Sequence, residues 1–146
     1  MELKQAKHLK IGKIGEDIAC DFLKKKGYKI IDRNFKRKWG EIDIICHKKE
    51  TISDRISSIW NKNSDNILHG TRIVFVEVKT LNSNYSLNPE DNLTQQKQKK
   101  LMRTCQLYIS EKKLDPDMDW RIDAILITLD VLSKKAKIKH MEGVIY

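Results

Sequence analysis

Asp43, Glu77 and Lys79 are the residues whose types and spacing point to chemistry. Glu77 and Lys79 stand two apart in Phe75-Val76-Glu77-Val78-Lys79-Thr80. In an extended strand such residues share a face, so an acid and an ammonium group lie side by side, with Phe75 before them. In Glu41-Ile42-Asp43-Ile44-Ile45 the same alternation groups Glu41, Asp43 and Ile45, and the apolar neighbour implies that Asp43 is buried. A buried, unpaired carboxylate is costly or shifts its pKa, and a cation or a hydrogen-bond donor relieves it. A divalent ion answers that need. Carboxylates holding Mg²⁺, for which Mn²⁺ can substitute, acidify water and neutralise charge building on a phosphate. A lysine adds a compact positive charge that orients the attacking water or steadies the pentavalent state. Phosphodiester hydrolysis asks for the same set of groups.

Elements must bring the three together. From Lys4 to Lys26, Ile11, Ile14, Ile18 and Phe22 recur at helical spacing with lysines opposite, and Gly27 closes the helix. On a projection of about 100° per residue, Glu16 shares an edge with Gly12, Ala19 and Leu23, whereas Asp17 falls on the lysine-rich face. Glu16 is therefore expected to reach a neighbouring element and complete a metal shell, and Asp17 is not. Strands are expected at Tyr28–Phe35, Glu41–Cys46, Arg72–Thr80 and Trp120–Leu129, with a fifth over Ala136–Met141. Lys36, Arg37 and Lys38, followed by Trp39-Gly40, read as the turn after the first strand.

Residues 48–72, rich in Ser, Asn and Lys, read as an insertion, in which Ile52, Ile56, Ile59 and Trp60 fit one short helix. Asn88-Pro89-Glu90-Asp91 predicts a helix start, and the helix runs to about Lys113 with Leu101, Cys105, Tyr108 and Ile109 inside. Lys97 lies one turn before Leu101 and is expected to point toward the sheet. The order helix, three strands, helix, one or two strands predicts an α/β fold: a mixed β-sheet flanked by helices, in a single domain over residues 1–146.

Each piece has a plain structural reading. Glu-x-Lys on a strand is usually a surface ion pair, and Arg121 with Asp123, two apart on one face, reads as a structural pair outside the catalytic set. Glu41 faces the same way as Asp43 and is an extra ligand or an orienting group. What favours chemistry is the order: a helix Glu, a strand Asp, then Glu-x-Lys on an apolar strand.

Charge indicates the partner. The 29 Lys and Arg exceed the 20 Asp and Glu, for a formal charge of +9, which favours a polyanion such as nucleic acid. Lys36, Arg37, Lys38, Lys97 and Lys100 are candidate phosphate contacts, with Arg33, Lys99, Arg103 and the lysines of the first helix behind them. Cys20, Cys46 and Cys105 follow no zinc or redox spacing and read as buried thiols. No apolar stretch approaches the roughly 18 residues of a membrane span, and no secretory signal is evident, so a cytoplasmic protein is expected.

Gly12-x-x-Gly15-Glu16-x-x-Ala19, Gly27-Tyr28, Asn34, Gly40-Glu41-Ile42-Asp43-Ile44-Ile45, Phe75-Val76-Glu77-Val78-Lys79-Thr80, Lys97-Gln98-x-x-Leu101 and Arg121-x-Asp123 together resemble the bacterial YraN family. That family is similar to archaeal Holliday-junction resolvases and has the restriction-endonuclease-like fold. The resemblance implies a PD-(D/E)XK site: Asp43, Glu77 and the backbone carbonyl of Val78 as metal ligands, Lys79 as the catalytic lysine, Glu16 as the helix carboxylate, and Lys97 near the phosphate. It implies a Mg²⁺-dependent endonuclease acting on branched or structured DNA, with a homodimer by analogy. The alternative is a nucleic-acid-binding protein of the same fold that cleaves little or nothing and serves DNA repair, recombination or uptake. Leu81 stands where the family commonly has Arg, which removes one phosphate contact.

Overall fold

Among the described residues five strands make one sheet, its central strands drawn from runs of β-branched residues, and two stretches of helical period pack on its opposite faces. The computed structural model describes residues 2–49, 71–82, 94–130 and 132–145. Along the chain come α1 (Glu2–Lys25), β1 (Tyr28–Arg37), β2 (Gly40–Lys49), β3 (Thr71–Asn82), α2 (Gln95–Glu111), β4 (Trp120–Asp130) and β5 (Lys135–Ile145). The sheet order is β1-β2-β3-β4-β5, antiparallel throughout except for the parallel pair β3–β4, between which the chain passes through α2. This is the α/β fold with a mixed sheet that the sequence predicts, completed by a fifth strand longer than expected.

Two apolar layers hold it together. On one face Phe35, Ile42, Ile45, Phe75 and Ile122 pack against Leu101, Cys105, Tyr108 and Ile109 of α2, with Tyr108 meeting Phe35 and Phe75 edge to face. On the other, Ile44, Cys46, Val74, Val76, Ile125 and Ile127 pack against Ala19, Cys20 and Leu23 of α1. All three cysteines are free and buried, and burial pushes the Cys46 thiol up to about 12. Among the described residues no helix is long and apolar enough to cross a membrane.

Four expectations need correction. The buried face of α1 runs through Gly15, Ala19, Cys20 and Leu23, with Ile18 and Phe22 at its margin and Ile14 43% exposed. Close approach to β3 explains this, since a Cβ on Gly15 would lie 1.7 Å from Thr80 Oγ1 and only small residues fit there. Lys36 and Arg37 belong to β1, and only Lys38 and Trp39 turn the hairpin. Residues 48, 49 and 71, assigned to an insertion, are strand, because the hairpin pairs on to Lys49 and Thr71, and Arg72 is strand as expected; the remainder, including Trp60, lies outside the described residues. Helix α2 begins at Gln95, capped by Thr94, whose side chain accepts from the Lys97 N–H. The expected cap at Asn88–Asp91 lies outside the described residues.

Candidate active site at the fork of two strands

The site is built where β2 and β3 separate. Their pairing runs from Lys49–Thr71 to Ile44–Val76, and beyond it Gly40, Glu41 and Ile42 stay paired with β1 while β3 continues along β4. Asn34, at φ 55°, kinks β1 opposite this point. The regular alternation of β2 breaks there too: Ile42 and Ile45 both face α2, whereas Ile44 faces α1. Asp43 therefore does not share a plain sheet face with Ile45 as the sequence implies. Its carboxylate lies in the fork, where Oδ2 accepts the Val78 N–H at 2.7 Å. That N–H lies past the last β2–β3 pair, so the carboxylate satisfies a donor left without a ladder partner on that side.

Glu77 and Lys79 flank the bonded residue. Glu77 Oε1 lies 2.8 Å from Lys79 Nζ, and both side chains are partly open to solvent. Glu16, on α1, accepts from Asn34 Nδ2 at 3.1 Å and lies 3.6 Å from the Arg33 guanidinium. Asp17, which the helix projection turns away, reaches Arg33 at 2.7 Å. The long arginine closes the distance from β1, so both acids meet the neighbouring strand. Glu41 pairs with Lys36 at 3.0 Å on the hairpin surface.

Electrostatics draw these groups into one site. Burial pushes the Asp43 carboxyl up to about 6, the charges of Glu77, Glu16 and Glu41 push in the same direction, and the Val78 N–H opposes them. Asp43 is thus a half-buried carboxylate in the field of three other acids, with Lys79 the ammonium group beside Glu77. Among the described residues no three His, Cys, Asp or Glu side chains gather closely enough to form a metal shell. The donor chemistry nevertheless suits a hard divalent cation, because the donors are oxygens and a cation relieves both the burial and the neighbouring acids that lift Asp43. In an extended strand the N–H and C=O of one residue point the same way, so the Val78 carbonyl also opens toward the fork.

The remaining sequence candidates are dispersed. Lys36 is held by Glu41, and Arg37 lies over Phe35 while its guanidinium grips Glu111. Lys38 sits over Trp39, which also stacks on Arg103 at 3.9 Å. Lys97 and Lys100 are exposed on the first turns of α2, so Lys97 does not turn in toward the sheet as its helical row implies. Sequence reasoning did not give Arg33 and Asn34 their place as the link between Glu16 and β1. The available signal was an Asn, which tolerates positive φ, inside a strand otherwise rich in bulky residues.

Arg121 and Asp123 form the structural pair expected of them, at 2.9 Å, on the α1 face. Asp123 is fully buried and also accepts from His140 Nε2 at 2.8 Å and the Gly143 N–H at 2.9 Å. Burial alone would raise this carboxyl, but the three donors outweigh it and hold it below its ordinary range.

With this geometry in hand, a family model described as uncharacterised protein family UPF0102 matches residues 15–127, a span that begins beside Glu16 and includes Asp43, Glu77 and Lys79. The chain is 36% identical over 134 residues to a UPF0102 protein of Alkaliphilus oremlandii (strain OhILAs), covering 92% of this chain and 96% of the relative. It is likewise 36% identical over 133 residues to a UPF0102 protein of Clostridium botulinum (strain Loch Maree / Type A3), covering 91% of each.

Proposed function

The chain belongs to the uncharacterised protein family UPF0102, the YraN family of the sequence resemblance, and from that premise we propose that it is a metal-dependent endonuclease that hydrolyses phosphodiester bonds in branched or otherwise structured DNA. The observation that carries this reading is the Asp43 carboxylate seated in the fork on the Val78 N–H, with Glu77 and Lys79 on either side. Asp43, Glu77 and the Val78 carbonyl would hold Mg²⁺ or Mn²⁺, with Glu16 completing the set and Glu41 orienting it. The chemistry supplied by such an ion is Lewis acidity at the scissile phosphate together with a lowered pKa for nearby water.

The chain's own groups do the rest. Glu77 fixes the Lys79 ammonium group at 2.8 Å, so a positive charge stands ready for the attacking water or a non-bridging phosphate oxygen. Asn34 and Arg33 keep Glu16 turned toward the hairpin. The net charge of +9 draws a polyanion to the molecule, and the acids at the fork keep phosphate out until a cation is present. The sequence carries no base-reading module, which favours structure over sequence in the choice of substrate. Two strands of a branched substrate would call for two sites, hence a homodimer.

A second reading, nucleic-acid binding without turnover, is favoured by one observation: no three-ligand metal shell is gathered among the described residues. One experiment separates the two. Linear, nicked and branched DNA and RNA are incubated with the protein in Mg²⁺ or Mn²⁺, alongside Glu77→Ala and Lys79→Ala. Cleavage by the native chain that is abolished in both variants supports the endonuclease, and RNA cleavage alone moves the substrate class. Binding without cleavage under either metal supports the second reading. Equal cleavage by all three proteins indicates a contaminant and rejects the assignment. Calorimetric titration of Mn²⁺ with Asp43→Asn as control tests the cation site separately.

A further inference from the structure

The face of the sheet that carries Glu77 and Lys79 continues across β4 to a row of lysines on β5. Lys79 is level with Leu126 of β4, and Leu126 with Lys139 of β5; the next step along brings Leu81, Thr128 and Lys137 level, and beyond them Asp130 and Lys135. Alternation sets these residues on the α2 side, since Ile125, Ile127 and Ile138 pack toward α1. Lys135, Lys137 and Lys139 are exposed, and none has an ion pair among the described residues. Asp130, opposite Lys135, accepts instead from the backbone and hydroxyl of the β4–β5 turn, through the N–H groups of Leu132 and Ser133 and the Ser133 hydroxyl. No sequence motif singled out these lysines, and they lie beyond the matched span that ends at residue 127.

We propose that Lys135, Lys137 and Lys139 form a phosphate track that holds the nucleic-acid backbone beside the Glu77–Lys79 site; this rests on the nuclease reading above. Alternate residues of a strand are about 6.6 Å apart, so the three ammonium groups line roughly 13 Å, and adjacent strands place Lys139 about 10 Å from Lys79. A helix strand carries one phosphate per 3.4 Å of axis, so the row is long enough for several consecutive phosphates. Acids at the fork leave a backbone no anchor there without a cation, whereas this row supplies positive charge on the same face. Nothing in it reads bases, which matches a surface that positions a strand without selecting sequence. Lysines also guard edge strands against sheet-to-sheet pairing, and that role alone would leave nucleic-acid binding unmoved on their removal.

The test measures binding of a fluorescein-labelled duplex and a labelled single strand by anisotropy, in EDTA, over a range of salt. The proteins are the native chain, a triple Lys→Gln variant at 135, 137 and 139, the matching triple Lys→Arg variant, and an equal-charge control with Lys29, Lys48 and Lys113 changed to Gln. The track predicts that the first Gln variant binds at least about tenfold more weakly at low salt. Its slope of log affinity against log salt should shrink by about 2–3, at roughly 0.7–0.9 for each phosphate no longer neutralised, while Arg retains both quantities and the control keeps the native slope. Native binding with an unchanged slope in the first variant overturns the track and leaves the nuclease reading standing. Equal weakening in both Gln variants overturns it as well, since net charge alone would then suffice. A native chain that binds neither probe at low salt overturns the track too, and the nuclease reading then stands or falls on the cleavage assay in Mg²⁺ or Mn²⁺ alone.

Discussion

At the scale of single residues the site is defined by a carboxylate in a costly place. Asp43 has its carboxyl raised to about 6 from an ordinary 3.8, by burial first and by neighbouring acids second. A raised folded-state value means the folded chain holds the proton more firmly than the unfolded chain. The resulting stabilisation is complete below about pH 4 and is lost as pH rises through 6, so at neutral pH the charged group weighs against folding. Each unit corresponds to about 1.4 kcal/mol, which sets a ceiling of roughly 3 kcal/mol. Asp43→Asn, which keeps an acceptor for the Val78 N–H, should therefore raise the Tm by several degrees at pH 7.5 in EDTA, with the gap closing toward pH 4. Thermal unfolding followed by circular dichroism from pH 4 to 8 checks this, and a gap that stays constant with pH would refute it. Strand alternation alone put Glu77 beside Lys79, because period two holds wherever pairing is regular. It misplaced the Asp43 side chain, because Asn34, opposite it at φ 55°, interrupts that period, and a single Asn within a strand pattern is its one local sign.

Among elements, the placement of α1 decides whether Glu16 reaches the hairpin at all. The helix is tied to β3 through Gly15, where an added Cβ would come within 1.7 Å of Thr80 Oγ1 and within 3.0 Å of both Cβ and Cγ2. Rotating the threonine cannot clear all three atoms. Gly15→Ala gains up to about 1 kcal/mol in helix propensity but must push the helix off the strand, at about 1–3 kcal/mol for overpacking. The second effect is expected to win, with a lower urea midpoint and weaker Mn²⁺ binding in the same variant. Gly15→Ala combined with Thr80→Ser, which removes Cγ2, should recover part of both deficits, and no recovery would count against the close approach. The strands were legible from the chain because β-branched runs have a strong period, and the existence of both helices was legible for the same reason. The face α1 buries was not, because apolar content points to Ile11 and Ile14 whereas the close approach selects Gly15 and Ala19.

Across the whole molecule, a polar cluster centred on the buried Asp123 joins the sheet from β1 to β5. Arg121 of β4 donates to Asp123 on its own strand and to the Tyr28 hydroxyl of β1, and it pairs with Glu142 of β5 at 3.2 Å. His140 and the Gly143 N–H of β5 close the cluster on Asp123, the latter where the β4–β5 register shifts and Gly143 takes φ 62°. The Arg-x-Asp spacing announced the central pair. Tyr28, His140 and Glu142 come from distant segments, and only the completed sheet brings them to it. Because Asp123 is fully buried, removing one partner leaves the other charged and desolvated, so Asp123→Leu or Arg121→Met alone should cost about 3–5 kcal/mol. Replacing both at once removes the two buried charges together and should cost less than the sum of the single changes by more than about 1 kcal/mol. Urea unfolding of the native chain, both single variants and the double variant closes that cycle. Additive costs would mean that Asp123 is held chiefly by His140 and Gly143, and that the arginine serves Tyr28 and Glu142 instead.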